Sequence, residues 1–175
     1  MNSIVEQPAD ADVLDNLLGI APGSHLHPVR HARDKVVSAT QGSHALFFNA
    51  QVQDGLSLSE RLLVAYYASR LTPNERLAGY YLEQLNALKI DQALLAKVDA
   101  DAVESLGDPR LQAILDFTRT LILSPVEGDQ QALQVLQQAG LTTAEIVVLA
   151  QLIAFLSYQV RLAAGLSALS AAGVA

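Results

Sequence analysis

The chain has 175 residues, 51% hydrophobic and 17% charged, a balance that gives one compact domain with a sizeable core and excludes disorder over most of its length. Its net charge of −7, from 11 basic and 18 acidic residues, is opposite in sign to a nucleic-acid footprint, so no nucleic-acid partner is expected. The lack of any cysteine excludes disulfides, thiolate metal sites, iron–sulfur clusters and a cysteine nucleophile.

Leu and Ala supply about a third of the residues, and the β-formers never alternate over a strand's length, so the predicted fold class is all-α. The stretch Met1 to Asp15 carries Glu6, Asp10, Asp12 and Asp15 with no basic start before an apolar run, so no targeting signal and a cytoplasmic location are expected. Asp12 is predicted to cap a short helix ending at Gly19, and Ala21-Pro22-Gly23-Ser24 reads as a turn. His27, as the cap, and Pro28 open a segment running to about Ala39. A break at Thr40-Gln41-Gly42-Ser43 and a short helix from His44 to Phe48 complete an N-terminal helical extension over residues 1–50.

The main helical domain, residues 51–170, opens at Ser57-Leu58-Ser59-Glu60, a capping box in which Ser57 and Glu60 satisfy each other's backbone donors. Leu58, Leu62, Tyr66 and Leu63, Tyr67, Leu71 mark the apolar side of that helix. Thr72-Pro73-Asn74-Glu75 starts the next, with Pro at its first position, placing Asn74 and Leu77 in the first turn of a helix to about Leu88. Asp91 and Asp108-Pro109 open helices over roughly 92–98 and 109–123, and Ser124-Pro125 with Gly128 separates the second from a helix over 130–139. Thr142 and Glu145 form another capping box before a long helix to about Leu169, and the small-residue tail to Ala175 is expected to fray. That last helix is apolar nearly all round, which predicts a central position or an oligomer interface. Its greasiest stretch, Ile146 to Leu156, is about half of the roughly 20 residues a bilayer needs, so no membrane span is expected.

The order of these elements is similar to the alkylhydroperoxidase D-like (AhpD-like), or carboxymuconolactone decarboxylase, superfamily. Leu56 to Ala65 resembles the family's opening helix, Gly140-Leu141-Thr142-Thr143-Ala144-Glu145-Ile146 its GLSDEEI helix start, and Ile153 to Ala163 its IAYFNxxNRLA close. Asp12 to Phe48 also resembles the N-terminal extension of a peroxidase-related subgroup. The resemblance implies a single-domain AhpD-like helical bundle that forms a homo-oligomer, a dimer, trimer or hexamer. In redox-active members the site is a Glu, a Cys-x-x-Cys opening a helix, and a His four residues beyond. A helix N-terminus lowers a thiol pKa, two sulfurs one turn apart close a disulfide, and the Glu and His relay protons. These positions fall here on Leu62, Asn74, Leu77 and Tyr81, and every one is replaced. The resemblance therefore implies the scaffold without the thiol chemistry.

Tyr66, Tyr67, Tyr80 and Tyr81 form two tandem pairs in a chain only 5% aromatic; plain packing is the favoured reading, with hydroxyls at the rim of an apolar pocket as the sharper alternative. All four histidines lie between His25 and His44; His27 and His31 have a spacing used for zinc, but no third ligand is spaced with them. With Arg30, Arg33 and Lys35 nearby, a solvated basic face is the favoured reading, and neither a metal nor an organic cofactor is predicted. His44, Tyr80, Glu60 and Glu83 are the remaining candidate acid–base groups. Arg161, in a greasy helix, is expected to need a buried or interfacial carboxylate or carbonyl, with Glu60 and Glu83 as possible mates. Two functions follow: a non-thiol protein binding a small molecule or a partner, such as a cysteine-containing relative; or a cysteine-independent enzyme of the lactone decarboxylase type, acting on a small organic acid or lactone.

Overall fold

A computed structural model describes residues 12–52 and 55–173. The expectations for the first acidic residues and for the last two of the tail lie outside them. Among the described residues the chain forms nine α-helices and no strand: α1 (Val13–Leu18), α2 (Leu26–Arg30), α3 (Asp34–Phe47), α4 (Leu58–Leu71), α5 (Glu75–Ala87), α6 (Gln92–Asp99), α7 (Pro109–Leu123), α8 (Gln130–Gln138) and α9 (Thr143–Ala172). Short 3₁₀ turns at Val103–Ser105 and Pro125–Glu127 flank α7.

Local chemistry sets most boundaries. Asp12, Asp91, Asp108 and Asp129 each accept backbone N–H groups at a helix start, and Gly19 ends α1 in the left-handed conformation, φ 69°. Both capping boxes form, Ser57 with Glu60 and Thr142 with Glu145. The α5 start is shifted from its expected place: Pro73 stays outside the helix and Asn74 is the N-cap, its Oδ1 accepting Leu77 N–H at 3.2 Å. His27 is not a cap; it lies inside α2. The break expected at 40–43 does not occur, because Thr40 and Ser43 donate to the carbonyls of Val36 and Ala39, one turn back, and the helix runs on. The small-residue tail likewise stays helical through Ala172.

The central helix is α4. Every residue from Arg61 to Ser69 is buried, and it packs against α5, α6, α7 and α9. The more apolar α9 is only half covered. Its inward stripe includes Ile146, Leu149, Ile153, Leu156, Val160 and Ala163, whereas Val147, Gln151, Ala154, Tyr158 and Arg161 face solvent. Length and composition alone would let α9 cross a membrane, but its inward stripe is spent on the bundle core. Arg161 has no carboxylate partner among the described residues; it is exposed and donates to Ser157 O in its own helix.

Candidate functional site

The continuation of α3 through residues 40–43 carries His44 inward, where it is buried. The end of α3 is held by a residue that sequence reasoning missed, Arg61. Its side chain is 1% exposed and donates to four carbonyls: Phe47 at 2.7 Å, Val52 at 2.9 Å, Asn49 at 3.2 Å and Ser57 at 3.4 Å. The guanidinium fork thus satisfies the open end of α3 and the loop that follows.

Between α3, α4 and α5 lies a cavity of about 360 Å³, lined chiefly by His44, Phe48, Leu58, Leu62, Tyr80 and Leu88. Its walls are apolar apart from Gln84 near one end and the pair His44 Nε2 and Tyr80 Oη, 3.3 Å apart. The imidazole packs 4.9 Å from the Phe48 ring and 5.7 Å from Tyr80, centroid to centroid. Burial pushes the His44 pKa down to about 4 and that of Tyr80 up to about 12, because a low-dielectric wall penalises either charged form. At neutral pH the pair is an uncharged imidazole beside an uncharged phenol.

The four positions matched to the thiol site do not share this cavity. Leu62 is in its wall; Leu77, 1% exposed, and Tyr81, fully buried, are core residues behind it. The Tyr81 hydroxyl donates to Gln159 Oε1 at 2.6 Å, and burial raises its pKa well above the ordinary value. Asn74 lines a separate recess of about 270 Å³ with Thr72, Ser157 and Arg161. Asn74 and Leu77, the positions the resemblance matches to the two cysteines, are joined here by the helix-cap hydrogen bond.

The other candidates lie elsewhere. Glu60 Oε1 accepts Arg110 Nε at 2.8 Å while Oε2 accepts the Ser57 backbone and hydroxyl donors. Glu145 mirrors it, with Arg110 Nη2 at 2.7 Å on one oxygen and Thr142 on the other. Bonds from Thr142, and then from Arg110, hold the Glu145 pKa at about 2. Both carboxylates are therefore structural, two capping boxes joined by one arginine. Glu83 is exposed and outside the cavity wall. Tyr66 and Tyr67 do not rim the pocket; they donate to Asp99, at 2.5 Å, and to Asp101, tying α4 to α6 and the segment beyond it.

No family model matches the chain, and no curated protein matches it. Solved structures do. A crystal structure described as an uncharacterized peroxidase-related protein from Silicibacter sp. TM1040 superposes with a TM-score of 0.69 at 17% identity, over 93% of this chain and 88% of that one. Another, described as an alkylhydroperoxidase AhpD core, an uncharacterized peroxidase-related protein from Ralstonia eutropha JMP134, gives 0.68 at 16% identity, over 94% and 91%. The chain has the AhpD-like fold. Coverage of more than nine-tenths of this chain means that the likeness includes the segment before α4 as well as the bundle. It is an AhpD-like chain without Cys-x-x-Cys, so a peroxidase cycle through its own thiols is chemically closed to it.

Proposed function

We propose that this AhpD-like chain is a non-thiol binding protein whose ligand is a small, uncharged and mainly apolar molecule carrying one carbonyl or hydroxyl group. The observation that carries this reading is the cavity between α3, α4 and α5, whose apolar walls surround the neutral His44–Tyr80 pair. Its size suits a small ligand, and the pair supplies one oriented polar contact. Among the described residues no lysine, arginine or carboxylate lines it, which disfavours an anion.

The same observation weighs against the lactone decarboxylase type of enzyme. A general base works best with a pKa near the working pH, and His44, near 4, is a weak one; Tyr80, near 12, is a poor proton donor.

The test is a thermal-shift and calorimetric screen at pH 7 of the whole chain against small neutral lactones, ketones and hydroperoxides, with matched carboxylates in parallel. Concentration-dependent stabilisation by neutral compounds, weakened in Tyr80→Phe and unaccompanied by turnover, is the expected result. Preference for carboxylates, or consumption of the compound by the pure protein, refutes it.

A further inference from the structure

The turn at residues 21–24, with Gly19 and Gly23 at positive φ, folds α2 back onto α1. The fold thereby brings a third side chain to the His27–His31 pair that sequence spacing left with two ligands. Asp15, on α1, lies with its Oδ2 2.6 Å from His31 Nε2, and the rings of His27 and His31 stack at 4.2 Å. One ligand atom from each of the three lies within 4.8 Å of the others. Ligands of a tetrahedral zinc ion stand about 3.4 Å apart at bond lengths of about 2.0–2.1 Å, so the three atoms are within reach of one ion once an imidazole turns out of the stack and aims its in-plane lone pair at the ion.

The three side chains are partly buried rather than laid out on the surface. Among the described residues Asp15 Oδ1 makes no hydrogen bond, and Arg30 Nε, 3.7 Å from it, makes none either, so this oxygen is directed at the guanidinium while Oδ2 faces the histidines. Arg30, the cation that would oppose a metal, is shared: its Nη2 is 3.4 Å from Asp12 Oδ2 and its Nε 3.7 Å from Asp15 Oδ1. Asp12 thus offsets much of the guanidinium charge, and the Asp15 oxygen facing the histidines, bonded here to His31 Nε2, would exchange that hydrogen bond for the ion.

We propose that Asp15, His27 and His31 bind a divalent metal ion of the zinc class, with water in the fourth position, and that the ion fastens α1 to α2. Two imidazoles and one carboxylate are a donor set for zinc or a neighbouring first-row metal, whereas calcium and magnesium favour all-oxygen sites. The site is far in chemistry from the His44 cavity and stands independently of the function proposed there.

The experiment titrates Zn²⁺ and, as a spectroscopic probe, Co²⁺ into the untagged, chelator-treated full chain by calorimetry and visible absorption. The expected result is one ion per chain, a four-coordinate Co²⁺ spectrum and a Zn²⁺-dependent rise in Tm. Binding should weaken at least about tenfold in Asp15→Asn and in His27→Gln and stay unchanged in His25→Gln. His27→Gln leaves the Asp15–His31 and Asp15–Arg30 pairs in place, so its loss of binding is not a loss of folding. No saturable binding, or equal affinity in wild type and His27→Gln, overturns the proposal.

Discussion

His44 is a histidine kept uncharged by its surroundings, and that has a measurable effect on stability. Its pKa falls from 6.5 in the unfolded chain to about 4 in the fold. At pH 7 the folded state is unprotonated there and the unfolded state mostly so. Below pH 6.5 the unfolded chain takes up a proton that the folded one refuses, so stability drops as pH falls from about 6.5 to about 4, by up to roughly 3 kcal/mol. Urea melts at pH 7 and pH 4.5 should show this loss in wild type and a clearly smaller one in His44→Gln. Equal losses would place His44 in water. The Glu145 pKa, depressed to about 2, acts in a lower window, below pH 4.5.

His44 was legible as a candidate because histidines are few and it precedes Phe47-Phe48; its partnership with Tyr80 was not, since it depends on α3 continuing through a glycine. Asn74 shows the opposite case. Its type suits a cap, but the neighbouring Thr-Pro pulls the expected start two residues early. Tyr66 and Tyr67 look like pocket residues by type, yet their aspartate partners lie on a later segment that no local pattern connects to them.

At the scale of elements, the capping signals were the legible part, since a cap needs only residues within one turn of it. The helix faces were harder to read. An apolar run left α9 with two readings, a central position or an oligomer interface; within the bundle α4 is the helix buried on all sides, with Arg61, Tyr66, Tyr67 and Ser69 among its buried residues. Their polar atoms are matched by carbonyls and carboxylates brought from other segments or from one turn back, and sequence does not display that matching. The most deeply buried cation among the described residues is Arg61, which sequence reasoning passed over; Arg161, expected to find a buried or interfacial carboxylate or carbonyl, is exposed and bonds the Ser157 carbonyl. Arg61 gives the sharper prediction. Arg61→Met leaves the carbonyls of Phe47, Asn49 and Val52 without their donor and should cost roughly 3 kcal/mol by denaturant unfolding, loosening the end of α3. Arg61→Lys should recover only part, because one ammonium cannot span all four acceptors. A cost under about 0.5 kcal/mol for Arg61→Met would show that the loop finds other donors.

For the molecule as a whole, the AhpD-like fold was legible because it rests on the order of caps and apolar stripes, which survives at 17% identity to a solved structure. The site was legible only in part, through His44 and Tyr80 as candidates by type. The lack of any cysteine excluded thiol chemistry, while the cavity is built largely from α3 and α5 side chains that no thiol motif would flag. What the chain retains is a shaped, uncharged pocket. The most direct test is a calorimetric titration, at pH 7, of the best neutral ligand from the screen into wild type and into Ala87→Phe, whose added ring occupies the cavity from an exposed position at the end of α5. Saturable binding to wild type that weakens at least about tenfold in a folded Ala87→Phe is the predicted result, whereas equal binding to both proteins would contradict a ligand site between α3, α4 and α5.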